Sequence, residues 1–192
     1  MTGVPEVTQH DLATLEIPLV EGVPADLLAS LLGSLGTLYF FDLWLDLAAD
    51  APYPGAFPDA YAPLPEEMLW ISRLEVGSPN LLRLIGKRRH ILAIAGLLAS
   101  VLAVPKGVVD VTVGLAQAQQ IRVDTELKRL EIEEKRLDIL TKARALHDAG
   151  RISPEALKHK IEDYPKAMDG LALGANLIST RDAIAVGRPS SL

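Results

Sequence analysis

The chain has 192 residues, with 25 acidic and 19 basic side chains and a formal net charge of −6. Hydrophobic residues make up 49% and aromatic ones 5%, at a mean hydropathy of +0.22. This composition excludes intrinsic disorder, collagen-like repeats and a basic nucleic-acid-binding domain, and the absence of cysteine excludes disulfides, thiolate metal sites and cysteine nucleophiles.

The charge is unevenly placed. Residues 1–72 carry eleven acids, from Glu6 to Glu67, and no Lys or Arg, so all 19 basic residues fall in 73–192. The acidic part is expected either to present a solvated surface to a protein partner or to dock on the basic remainder, in the same chain or a neighbour. The first 26 residues carry acids and prolines and show neither a basic flank nor an apolar stretch of the secretory type. The expected location is therefore the cytoplasm, either free or bound to the inner membrane.

Residues 14–21 read as a short strand, in which Leu15, Ile17 and Leu19 alternate with Glu16, Pro18 and Val20. Pro18 lacks an amide proton and points to a sheet edge. After the Gly22-Val23-Pro24 turn, residues 25–48 read as a helix with a broad leucine face from Leu27 to Leu38. Gly33 and Gly36 weaken that helix but permit close packing. Residues 49–65 hold five prolines with Tyr53, Phe57 and Tyr61 between them. This loop either packs over the domain or binds a partner through those rings. Residues 67–76 read as a second strand, and Ser78-Pro79 as the cap and first position of a following helix. Residues 1–82 would then form an acidic strand–helix–strand unit, its strands parallel across a right-handed crossover and short of a partner strand.

Residues 83–118 comprise a basic flank and an apolar segment. From Ile91 to Val104 only Ser100 is polar, and a helix without a polar face is buried in protein or in lipid. Fourteen residues span about 21 Å against a hydrocarbon core of roughly 30 Å. Extending the span to Val109 reaches membrane length, with Lys87, Arg88 and Arg89 as a cytoplasmic flank and Lys106 snorkelling. Ile91, Leu92, Ile94, Leu97, Leu98, Val101 and Leu102 would face either lipid or a protein core. In the second case Arg83, Lys87, Arg88 and Arg89 would meet the acidic N-terminal part.

The plainest pattern lies in residues 121–147, within an amphipathic helix and helical hairpin expected over 119–164. Arg122, Arg129 and Arg136 recur every seven residues, as do Val123, Leu130 and Leu137 and the acids Asp124, Glu131 and Asp138. Asp124–Lys128, Glu131–Lys135 and Asp138–Lys142 are acid-to-base pairs at the favoured helical spacing, worth roughly 0.3–0.5 kcal/mol each. The apolar residues fall on two nearly opposite stripes. One holds Val123, Leu127, Leu130, Leu137 and Ala145, interrupted by Glu134, and the other Ile121, Ile132, Ile139, Ala143 and Leu146. Two stripes suggest a helix sandwiched between neighbours, which makes Val123, Leu127, Leu130, Ile132, Leu137, Ile139 and Leu146 the expected oligomer interface; the alternative is a single long helix packed along its own domain. Acids beside every Arg argue against nucleic acid.

Ala149-Gly150 ends the helix, and Ser153-Pro154 starts another, with Ile152 and Leu157 spaced to clamp its first turn. Residues 140–164 resemble the SHOCT-type short C-terminal module of bacterial proteins at Leu146, Gly150, Ile152, Ser153, Glu155 and Lys158. They depart from it at Pro154 and Ala156-Leu157. The resemblance implies oligomerisation or tethering. The remainder resembles uncharacterised bacterial proteins, which implies no activity. Residues 165–192 read as a short helix over 171–178 and a flexible tail.

No histidine pair has metal-ligand spacing, and no phosphate loop, dinucleotide loop or nucleophile elbow is present. His147 suits a helix C-terminus, and Glu66-Glu67 is expected in solvent. Catalytic, cofactor and metal sites are all expected to be lacking. The sequence thus points to a mainly helical α+β protein that is not an enzyme. It would be a membrane-associated, self-assembling anchor or effector subunit, or alternatively a soluble homo-oligomeric scaffold with its apolar segment inside the assembly.

Overall fold

The computed structural model describes residues 11–51, 63–64, 67–75, 80–102, 115–179 and 184–188, with backbone alone for 115–129 and for 131. The elements are β1 (Leu12–Leu19), α1 (Ala25–Ala49), β2 (Trp70–Glu75), β3 (Asn80–Lys87), α2 (Arg88–Leu102), α3 (Leu115–Asp148), α4 (Pro154–Gly174), a 3-10 turn (Ala175–Leu177) and β4 (Ala185–Gly187). The protein is mixed α and β and mainly helical, as its patterning predicts.

The strands form one antiparallel sheet in the order β2-β3-β1-β4. This corrects the expected parallel pair, because β3 lies between the two strands that the sequence suggested as neighbours. The missing partners come from the same chain. β3 occupies residues expected to begin a helix after Pro79, and β4 occupies residues expected in the tail. The sheet therefore takes strands from both ends of the chain, and β3 crosses the unit boundary expected at residue 82. Pro18 sits where β1 has run past β4, which pairs only with Thr14–Glu16. Its carbonyl there accepts from the Ser179 amide.

Register fixes which face is inside. Leu15 opposes Leu84 and Ile17 opposes Leu82, and all four are fully buried among the helices. On the reverse face Glu16 opposes Arg83, whose Nε donates to Glu16 Oε1 at 2.8 Å. β2 is an edge strand, and its Trp70, Ile71 and Leu74 are exposed.

α1 is the central helix. It is apolar on most of its circumference, and Leu31, Leu35, Phe41 and Leu45 are all but fully buried. Among the described residues it is the one helix long and apolar enough to cross a membrane. A core helix meets the same criterion, and here α1 is packed by α2 and α4 and tied to β3. The Lys87 amide donates to the Tyr39 hydroxyl at 2.9 Å, and a side chain at Gly86 would meet the Tyr39 ring at 2.8 Å. The close helix contact is made by Gly170 and Gly174 of α4 against Ser34 and Leu31 of α1. Gly33 and Gly36, expected to permit close packing, face open space instead.

The ends of α3 and α4 follow their sequence signals. Gly150 adopts φ 68°, and the amides of Gly150 and Arg151 close the helix on the carbonyls of His147 and Leu146. The Ser153 hydroxyl accepts from the Ala156 amide at 3.1 Å. Ile152 is buried beside it, and Leu157 packs on the same core. α4 does not stop near residue 163. It runs through Pro165 to Gly174, taking in the first half of the short helix expected over 171–178, and the 3-10 turn Ala175–Leu177 follows.

Candidate functional site

α3 is 34 residues long, or about 51 Å at 1.5 Å per residue. Its two apolar stripes have different fates. Ile132, Ile139 and Leu146 pack against the chain's own core and Ala143 is buried within it. Ile132, Ile139 and Leu146 are half-buried in this packing within the chain. Leu130 and Leu137, one heptad apart on the other stripe, are 63% and 61% exposed. The side chains of Val123 and Leu127 lie outside the described residues.

The exposed stripe borders a groove between α3 and α4. Leu137, Leu140 and Arg144 line one side, and Leu157 and Ile161 the other. Glu133 and Glu134 stand on the same exposed side towards the N-terminal end of the stripe, and Arg144 towards its C-terminal end. Glu133 is engaged by Arg136 of the same helix at 3.5 Å. Lys135 and Lys142 reach across to α2 and α1. Lys135 Nζ donates to Ser100 Oγ at 2.6 Å, and Lys142 Nζ to Asp46 Oδ1 at 2.7 Å.

Asp46 belongs to a polar cluster where α1 meets the start of α2. His90, buried at 4% exposure, places Nδ1 2.7 Å from Asp42 Oδ2, and Arg89 lies 3.0 Å from Asp46 Oδ2. Asp42, Asp46 and His90 offer ligand atoms within 4.8 Å of one another, enough to hold a metal ion. Two cations and the imidazole already engage those carboxylates, so the geometry present is that of an ion-pair network. The sequence did not reveal it, because its members come from three helices; only the spacing of Asp42 and Asp46 by one helical turn is local.

The same logic recurs along the chain. Glu16 pairs with Arg83, Glu67 with Lys87 and Asp46 with Arg89 and Lys142, and the Arg151 guanidinium caps the Ala51 carbonyl. These acids of the first 72 residues dock on the basic remainder of the same chain. Glu67 is buried, not in solvent as expected, and its second oxygen accepts from the Leu64 amide at 3.0 Å.

The apolar segment divides by face. Ile91, Ile94, Leu97 and Leu98 are buried, Val101 and Leu102 are half-buried against the core, and Leu92 is 50% exposed. Residues 103–114 lie outside the described residues, as do Tyr53, Phe57 and Tyr61. His147 Nδ1 sits 3.2 Å from Asp148 Oδ1 at the end of α3.

Two tyrosines carry shifted ionisation. Burial raises the Tyr164 hydroxyl to about 12, with a smaller opposing pull from Arg136, and burial likewise raises Tyr39. A phenol raised on folding stabilises fully below its unfolded pKa, and that stability is lost as pH rises through the folded value. Denaturant unfolding is therefore expected to show stability falling between pH 10 and about 12, and Tyr164→Phe is expected to flatten that fall. An unchanged alkaline limb in the variant would contradict this.

No protein-family model, no curated protein and no solved structure matches this chain.

Proposed function

We propose that this protein is a non-catalytic, self-assembling subunit whose copies join through the outer stripe of α3. One observation carries the reading: a helix with two apolar stripes places one in its own core and leaves Leu130 and Leu137 exposed. The groove beside them, lined also by Leu140, Leu157 and Ile161, extends that apolar surface, and contiguous exposed apolar patches mark interaction sites, here for a second copy of the same stripe. The likeness of residues 140–164 to an oligomerising module agrees with this occupant.

Burial of Ile91, Ile94, Leu97 and Leu98 in the subunit's own core favours the form of this reading in which the protein is a scaffold or adaptor rather than a membrane anchor. Attachment to lipid through 91–109 would instead give carbonate-resistant flotation with liposomes.

The test is solution mass by light scattering, compared with the 20.7 kDa chain. Wild-type protein is expected at twice that mass or more at micromolar concentration. Leu130→Glu combined with Leu137→Glu is expected at the single-chain mass with unchanged circular dichroism, since neither side chain supports the core. A wild-type monomer at high concentration would overturn the proposal, as would a double variant that keeps its mass.

A further inference from the structure

The polar cluster where α1 meets α2 is independent of assembly. Asp42 and Asp46 stand one turn apart on α1, and His90 faces them from the first turn of α2. Their ligand atoms all lie within 4.8 Å of one another. A metal ion held by nitrogen and oxygen at about 2.0–2.2 Å needs ligand atoms about 3–3.5 Å apart, so small side-chain rotations close the set.

The imidazole separates this cluster from an acidic patch. The His90 side chain is 4% exposed, and its ring packs edge-on against Tyr39 at 5.5 Å. Its Nδ1 is aimed at Asp42 Oδ2, 2.7 Å away and inside the cluster. A buried nitrogen ligand is thus held in place against two carboxylates on a rigid central helix. We propose that Asp42, Asp46 and His90 bind a divalent transition-metal ion of the zinc type, which takes the place of Arg89 and Lys142 at Asp46.

Charge and exposure permit that exchange. Arg89 and Lys142 set two positive charges against the two carboxylates, and one divalent ion beside a neutral imidazole keeps the same balance. The Arg89 and Lys142 side chains are 73% and 39% exposed, so both can turn to water, and exposed ion pairs of this kind contribute little. One imidazole with two carboxylates favours a borderline ion such as Zn²⁺ over Mg²⁺, which prefers oxygen ligands alone. Lys142 is therefore a competitor of the metal and not one of its ligands.

The experiment is calorimetric titration of the full chain with Zn²⁺ and with Mg²⁺. Zn²⁺ is expected to bind at one ion per chain with Kd below about 100 μM, and Mg²⁺ far more weakly. Asp46→Asn and His90→Gln are each expected to weaken Zn²⁺ binding by more than the roughly tenfold that loss of an outer partner costs. Asp46→Asn keeps the shape of a partly exposed side chain, so its circular dichroism is expected to match wild type even where loss of the buried imidazole disturbs folding. Lys142→Gln is expected to tighten Zn²⁺ binding about fivefold, as release from one competing ion pair implies, a gain that a purely structural network does not give. Absence of Zn²⁺ binding up to about 1 mM would overturn the proposal. Binding that survives Asp46→Asn, as a surface histidine site would, or that does not tighten in Lys142→Gln, would overturn it equally.

Discussion

Leu98→Asp is expected to abolish cooperative unfolding and drive the protein into the insoluble fraction, while Leu92→Asp on the same helix is expected to leave stability within about 1 kcal/mol of wild type. Leu98 has no exposed surface, whereas Leu92 is 50% exposed. Truncating a buried leucine costs about 2–5 kcal/mol, and an unpaired buried carboxylate adds a penalty of about 3–5 kcal/mol. The sum reaches the whole stability of an ordinary domain, about 5–15 kcal/mol. Thermal circular dichroism and the soluble yield of the two variants check this. A helix inserted in lipid would respond alike at both positions, since each would set a charge in hydrocarbon. Equal damage from the two substitutions would therefore contradict placement of α2 in a protein core.

The second large effect is expected where α4 crosses α1. Gly174→Ala is expected to lower stability by about 1–3 kcal/mol, although alanine is the better helix former. A Cβ at Gly174 would lie 2.7 Å from Leu31 Cδ1 and 2.9 Å from Leu31 Cβ. Leu31 is fully buried, so it has no space into which to withdraw. Gly33→Ala supplies the opposite sign, because Gly33 faces open space on α1 and gains helix propensity of up to about 1 kcal/mol. In a chain of this size each kcal/mol moves the melting temperature by about 2–4 °C, so thermal unfolding resolves the two directions. A stabilised Gly174→Ala would contradict the close crossing.

These contrasts show which parts of the fold were legible in the sequence. α1 and the core of α2 follow from long apolar runs, and the α3–α4 turn follows from Gly150 and Ser153, whose chemistry is local. β3 was misread because Leu81, Leu82, Leu84 and Ile85 form a near-continuous apolar run that fits a strand or a helix, and the preceding Ser-Pro tipped the reading to helix. The alternation became visible only through burial, with Leu82 and Leu84 fully inside and Leu81 and Ile85 half-buried. β4 was missed because three residues carry no periodicity.

At the candidate site the two stripes of α3 were readable, but which stripe the chain keeps for itself was not. That assignment depends on Asp46 and Ser100, distant in sequence, drawing Lys142 and Lys135 inward.

The central claim is that two copies meet along the outer stripe of α3, and the absence of cysteine allows a direct measurement. Leu137→Cys introduces a single thiol on that stripe, and Leu92→Cys places one on the exposed side of α2. After mild oxidation and non-reducing electrophoresis, Leu137→Cys is predicted to run as a covalent dimer at micromolar concentration, with Leu92→Cys monomeric. A monomeric Leu137→Cys, or equal crosslinking at both positions, would contradict the claim.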